Sequence, residues 1–326
     1  MNNRRSSIMV IFTVLSVVLA GCGSPPSTTP GGTTLPSAAS THATTPTISL
    51  VTVSSTYVHP EILVEAGWLY QHLDDPTVRI IDVQNPIFPM LYKSGHIPGA
   101  IHVDVFSQLC CPSKIMSADA FAKLMGSVGI SDDTTVVVYD TDRSLWAARL
   151  WWALKYYGHE HVAILNGGLR QWIFNGYSLD TEIPDVQPAV FHSTVQPGWI
   201  ATIEEVRTAI ENPNVAILDA LPWSSYTGDS VYYDRPGHIT SALSFPSDTA
   251  FSELFQTVLP APDLAKMLMR LKLDPSQRAI TYCGGGHAGS RLAFILYLMG
   301  FENVALYDGS LQEWSANSSN PMEIVP

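Results

Sequence analysis

The sequence predicts an α/β protein of two tandem, homologous domains, each a mainly parallel sheet flanked by helices. Three observations lead there. Length is the first: 326 residues at roughly 100–200 per domain make about two domains. The second is a repeat at a fixed offset of 142, in which Gly95-His96-Ile97 recurs as Gly237-His238-Ile239, Gly158 as Gly300, Val162 as Val304, Gly167 as Gly309 and Trp172 as Trp314. So long a period exceeds a solenoid unit and marks a duplicated domain. Third, short continuous apolar runs alternate with helical periodicity, the pattern of parallel strands covered on both faces.

In chain order, residues 1–21 read as a signal peptide, with Arg4 and Arg5 ahead of the 13-residue apolar run Ile8–Ala20. A bilayer core of about 30 Å takes about 20 helical residues, so this run is too short to span and suits a secretory signal. Residues 22–50 hold Cys22 and a Ser/Thr/Pro/Gly tract, of which residues 23–47 carry no charged side chain. That composition buries too little apolar surface to order itself. As a coil its 25 residues span roughly 25–30 Å.

Residues 51–183 form the N-terminal domain and residues 199–326 the C-terminal one. The apolar runs Val78–Val83 and Val215–Asp219 are equivalent strands that carry Asp82 and Asp219 at their ends. In the second copy Ala261–Leu271 reads as helix, Ala279–Tyr282 as strand, Ser290–Met299 as helix and Val304–Tyr307 as strand. Residues 184–198, with Pro184, Pro188, Pro197 and Gly198 and no period, form the linker.

Composition narrows the function. Hydrophobic residues make 46% and charged residues 14%, enough to build cores. Lys+Arg 17 against Asp+Glu 29 gives a formal charge of −12, which argues against nucleic acid as a partner, since phosphates need a cationic face. Four cysteines without a C-x-x-C make neither a disulfide scaffold nor a zinc site.

The strand Ala279–Tyr282 runs into Cys283-Gly284-Gly285-Gly286-His287-Ala288, and a helix follows. A cysteine between strand end and helix start sits at the carboxyl edge of a parallel sheet, where α/β sites form. Amides that the helix cannot use, and the positive end of its dipole, favour thiolate over thiol. Three glycines let the backbone curl into an anion-binding nest. The site therefore suits a nucleophilic sulfur whose product is also anionic.

Two resemblances follow. Leu19-Ala20-Gly21-Cys22 resembles the lipobox of bacterial lipoproteins. It implies cleavage before Cys22, a lipid anchor on that cysteine, and a folded part outside the cytoplasm whose only membrane contact is the anchor. Tyr282-Cys283-Gly284-Gly285-Gly286, Val304-Ala305-Leu306-Tyr307-Asp308-Gly309-Ser310 and Glu313-Trp314 resemble the tandem rhodaneses, the thiosulfate and 3-mercaptopyruvate sulfurtransferases. Gly95–Ala100, Val136–Asp140, Ala147–Trp152 and Gly167-Gly168 with Trp172 agree in the first copy. The likeness runs from about residue 57 to 324.

The second resemblance implies a sulfurtransferase in which Cys283 takes the outer sulfur of thiosulfate or a mercapto acid as a persulfide. It then passes that sulfur to cyanide, a thiol or a protein, with no metal or organic cofactor. Asp140 stands at the cysteine position of the first copy, which makes that half inactive. Asp104 matches an acidic position lining the cleft.

Two departures set the chain apart. Relatives place arginines at the positions of Leu221 and Ser225, between Asp219 and the matching Tyr226 and Gly228, where they hold the anionic end of the substrate. Arg235 and Arg291 are the candidate substitutes. The loop also lacks any cation, and His287 and Ala288 replace Val-Thr; His287 is a candidate donor to the persulfide. These losses keep open a second reading, a carrier or binding module whose Cys283 is loaded by a partner. A cysteine phosphatase needs an arginine six residues after the cysteine, where Gly289 stands, so that chemistry is disfavoured. Adjacent Cys110 and Cys111 are either half-buried loop residues or a thiol relay with Cys283.

Overall fold

The computed structural model describes residues 56–84, 90–109 and 114–325. The residues read as a signal peptide, the lipobox-like Leu19–Cys22, Cys110 and Cys111 lie outside the described residues. The described residues belong to one compact unit, in which the repeat becomes two parallel sheets. In the N-terminal half β1 (Leu63–Val64), β2 (Val78–Asp82), β3 (Ile101–His102), β4 (Thr135–Tyr139) and β5 (Val162–Leu165) lie in the order β1-β5-β4-β2-β3, all parallel. The C-terminal half supplies β6 (Val215–Asp219), β7 (His238–Ile239), β8 (Leu243–Ser244), β9 (Arg278–Tyr282), β10 (Val304–Leu306) and β11 (Met322–Glu323). Four of these form a parallel sheet in the order β10-β9-β6-β8, while β7 pairs antiparallel with β11. The expected architecture is therefore the observed one. Its central strands are runs such as Val136-Val137-Val138, buried on both faces, where β-branched side chains pack well.

The helix after each equivalent strand joins the halves. Leu145–Tyr156 and His287–Leu298 are buried on nearly every side, including the charged Arg149, Lys155 and Arg291, as expected of helices that are largely apolar round their circumference. They pack together, with Trp151 edge-on to Phe294 at 5.2 Å between ring centroids. One continuous apolar core runs through both halves as a result. Between them, residues 184–198 lie along the N-terminal half, where Ala189 N–H donates to the Gly126 carbonyl and Thr194 N–H to that of Tyr157, both at 2.9 Å.

The repeat also duplicates its supports. His96 stacks on Tyr92 with Nδ1 2.8 Å from the Tyr92 carbonyl, and His238 does the same with Tyr226. Trp151, Trp152, Trp172 and Trp314 are fully buried. Among the described residues no helix is long and apolar enough to cross a membrane, and no cluster of His, Cys, Asp or Glu is placed to hold a metal.

Candidate active site

Cys283 closes β9 and is buried, 3% exposed. Its N–H donates to Ser310 Oγ at 3.1 Å, and its carbonyl accepts from Leu311 N–H at 3.0 Å. Gln312 N–H holds the Gly284 carbonyl in the same way, so the turn after β10 anchors the start of the loop. The following helix begins at His287, three residues before the position the sequence suggests. Gly286 makes the early start possible: it caps the helix at φ +89°, in the left-handed region that glycine enters without strain. The loop is thereby reduced to Cys283–Gly286.

Comparison with the N-terminal half shows what this loop is built for. There Asp140 occupies the place of Cys283, and its carboxylate accepts four N–H groups, two from the loop and two from the first turn of the helix. Oδ1 takes those of Asp142 (2.9 Å) and Ser144 (3.0 Å), and Oδ2 those of Trp146 (2.8 Å) and Ala147 (3.0 Å). A built-in anion thus fills the nest. In the C-terminal half the residue at that place is a thiol, and the N–H groups of Gly284, Gly285 and Gly286 have no acceptor among the described residues. Backbone amides left without an acceptor beside a thiol offer an anion a place to bind.

Charge reaches this loop from the other half. Arg149, fully buried in the helix Leu145–Tyr156, puts Nη1 2.6 Å from Asp308 Oδ1. Asp308 Oδ2 accepts Ile115 N–H at 2.7 Å. The pair lies directly under Gly286, where a Cβ would stand 2.5 Å from Asp308 Oδ1 and 2.8 Å from Arg149 Nη1. Arg291 stands at the equivalent place, 142 residues after Arg149. Arg291 Nε donates to Ser247 Oγ at 3.0 Å, Nη1 reaches the Arg143 carbonyl at 3.5 Å, and the side chain senses the charges of Asp248, Asp142 and Asp140. Because the two helices cross at the interface, each arginine serves the loop of the opposite half. Arg291 therefore belongs to the Asp140 loop, not to a substrate at Cys283.

The other sequence candidates are likewise accounted for. Arg235 spends Nε, Nη1 and Nη2 on the carbonyls of Ser315, Asn320, Trp314 and Asn317 at 2.8–3.2 Å, which makes it a clamp on the chain end rather than a substrate ligand. Asp219 is fully buried; Oδ1 accepts Leu221 N–H at 2.8 Å and Oδ2 the Tyr282 hydroxyl at 2.9 Å. Tyr282 in turn accepts Ile239 N–H, and Asp82, Tyr139 and Ile97 repeat the relay in the half that lacks a cysteine. Asp219 is thus a structural aspartate, whose carboxyl burial lifts to about 6. Asp104 caps the helix Val105–Leu109 through the N–H groups of Phe106 and Ser107. Leu221 is half-buried against the core and Ser225 is buried, so neither position offers a cation.

His287 packs edge-on to Trp146 at 5.0 Å, with Phe106 stacked at 6.1 Å between ring centroids. Burial, aided by the Arg149 charge, pushes its imidazole down to about 3. The ring is neutral at physiological pH and brings no positive charge to the loop. With Ala288 it forms the first turn of the helix.

Sequence reasoning missed the Arg149–Asp308 pair, the aromatic wall of Phe106 and Trp146, and Tyr233. A Cβ at Gly284 would overlap the Tyr233 hydroxyl, so that hydroxyl stands on the loop. Arg149 was detectable from the 142-residue offset to Arg291; Tyr233 and Phe106 have no such signal.

A thiol just past a parallel strand, followed by loop amides without an acceptor and with a buried ion pair beneath the loop, suits a cysteine-dependent sulfurtransferase. Comparison with known proteins makes this specific. The rhodanese-like domain matches residues 65–175 and again 202–317, and the chain belongs to the rhodanese family. It is 33% identical over 273 residues to the sulfur carrier protein TtuD of Thermus thermophilus, covering 79% of this chain and 95% of that protein. It is 34% identical over 234 residues to the thiosulfate sulfurtransferase of Bos taurus, covering 68% and 78%. The Pseudomonas aeruginosa thiosulfate sulfurtransferase is 29% identical over 267 residues, covering 81% and 97%. The anaerobic ergothioneine biosynthesis enzyme from Chlorobium limicola, solved with trimethyl histidine, shares the fold with a TM-score of 0.76. It is 23% identical, and the match covers 83% of this chain and 72% of that one.

Proposed function

We propose that this sulfurtransferase takes sulfane sulfur from a small anionic donor, thiosulfate or 3-mercaptopyruvate, as a persulfide on Cys283. The observation that carries the reading is the contrast between two equivalent loops. One nest is filled by the Asp140 carboxylate; the other offers its amides beside a thiol. With thiosulfate, the Cys283 thiolate attacks the outer sulfur, a sulfur–sulfur bond forms, and the bond to the leaving group breaks with its electron pair departing on sulfite. The persulfide is again an anion, which the amides of Gly284–Gly286 stabilise. A thiolate or cyanide then attacks the outer sulfur, and the pair returns to Cys283 Sγ. Neither step needs an oxidant, a metal or an organic cofactor.

The place of action we propose is outside the cytoplasm, on a lipid anchor at Cys22, as the lipobox-like Leu19–Cys22 and the uncharged tract after it imply. Radiolabelled fatty acid incorporated into the chain, and lost in Cys22→Ser, is the expected result; equal labelling of both would end that part of the proposal.

The reading is tested by intact mass after incubation with thiosulfate, and separately with 3-mercaptopyruvate, beside Cys283→Ser. Wild type should gain one sulfur atom that cyanide removes, and the variant none. No gain with either donor, on protein whose Cys283 is reduced, would overturn it. A partner-loaded carrier is the second reading, favoured by Leu221 and Ser225 in place of two arginines and by the likeness to TtuD. No gain from either small donor, on protein whose Cys283 is reduced, would select it.

A further inference from the structure

The loss of both substrate arginines leaves a question of chemistry: what meets the negative charge on the exposed side of the loop. Arg149 lies under Gly286 and is fully buried, while Arg235 and Arg291 are committed elsewhere. The residue that does stand over the loop is Tyr233.

Tyr233 belongs to the segment between the helix Trp223–Thr227 and β7. Gly237 follows Asp219 by 18 residues, whereas Gly95 follows Asp82 by 13 in the inactive half. The segment is therefore longer where the cysteine is. Its Val231 and Tyr232 are exposed, yet Tyr233 turns inward and packs against the core cluster of Tyr282, Leu311 and Trp314. Its ring and hydroxyl occupy the space that any side chain at position 284 would need. The hydroxyl makes no hydrogen bond to a described residue. The hydroxyl is not among the buried polar atoms that lack a partner, so a ligand at the loop can reach it; what lies before it is the residue that follows Cys283.

We propose that Tyr233 is a catalytic hydrogen-bond donor, its hydroxyl supplying the outer sulfur of the Cys283 persulfide with a contact from the side opposite the loop amides. The inference rests on the persulfide reading above and assigns a residue to it. Burial, and then the charge at Cys283, push the phenol up to about 12, so it stays protonated at every working pH and acts as a donor, never as a base. The bond it makes to an anionic sulfur is charge-assisted, and losing such a bond is worth about a tenfold to hundredfold change in rate. A neutral donor replaces cations here, which makes the site less selective for a second negative charge on the donor molecule.

Tyr233→Phe in the full chain tests this, because the ring and its cover over Gly284 are kept and only the hydroxyl is removed. Loading of Cys283 by thiosulfate is followed by stopped-time intact mass, and the return step by sulfur transfer to cyanide across pH 5–10. Loading should slow about tenfold to hundredfold, and the pH midpoint at which the persulfide ionises should rise. Packing alone would not move that midpoint. Loading and midpoint both equal to wild type would overturn the assignment. If wild-type Cys283 itself gains no sulfur, the persulfide reading fails first, and the two failures are distinct.

Discussion

Replacing Asp308 with asparagine removes the carboxylate from the ion pair beneath the loop while keeping its shape. Arg149 is fully buried, and its Nη1 lies 2.6 Å from Asp308 Oδ1. The same carboxylate takes Ile115 N–H at 2.7 Å, so one side chain ties the helix of the first half, the segment before residue 116 and the Cys283 loop together. Breaking a buried pair from one side strands a charge in a low dielectric, which costs about 3–5 kcal/mol. Removing both charges, as in Arg149→Met with Asp308→Leu, strands nothing and should recover most of that loss. It still leaves Ile115 N–H without an acceptor, at about 1–3 kcal/mol. Equilibrium denaturation of the full-length chain, Arg149→Met, Asp308→Leu and the double variant closes a double-mutant cycle, and the coupling should exceed about 2 kcal/mol. An Asp308→Asn protein within about 1 kcal/mol of wild type, or a double variant no more stable than that single one, would refute the argument that the pair is a dry strut between the halves.

Two further tests concern the halves separately. Asp140→Asn should destabilise by about 2–4 kcal/mol in denaturation, since one of its two acceptor oxygens becomes a donor facing amide N–H groups that it previously satisfied. Two buried groups should oppose each other in the pH dependence of stability. Asp219, lifted from 3.8 to about 6 by burial, binds its proton more readily folded than unfolded. Stability therefore falls as pH rises through that window, by roughly 3 kcal/mol, and Asp219→Asn should abolish the fall. His287 stays neutral when folded, because burial lowers its imidazole from 6.5 to about 3. Stability is lost as pH drops through that range, and His287→Gln should flatten the loss, read from denaturation midpoints between pH 3 and 8.

Much of the site is legible in the order of the residues alone. Cys283 stands out because a cysteine and three glycines between an apolar strand and a helix leave little other purpose for the segment. Asp140 stands out because the repeat places it at the same point. Its role is only half visible there: inactivity follows from residue type, but filling the nest with its own carboxylate depends on four amides converging. Arg235 and Arg291 are drawn to the site by charge and proximity in sequence. Both prove to be spent on other partners, because a guanidinium in a folded chain goes to whichever acceptors its backbone position brings within reach. Asp219, a candidate on register alone, is a relay to Tyr282 set by the pairing of β6 with β9.

The duplication, the parallel strands, the strand–loop–helix that carries Cys283 and the absence of a cysteine from the first half are all written in the order of the residues. These follow from residue type and spacing along the chain, which local conformation obeys. Tertiary structure decided which half each side chain serves. Arg149 and Arg291 occupy equivalent places 142 residues apart, yet each reaches across the interface because the helices that bear them cross there. Tyr233 stands on Gly284 for a similar reason: a segment without a repeat partner is placed by packing against the core, and no periodicity records that contact.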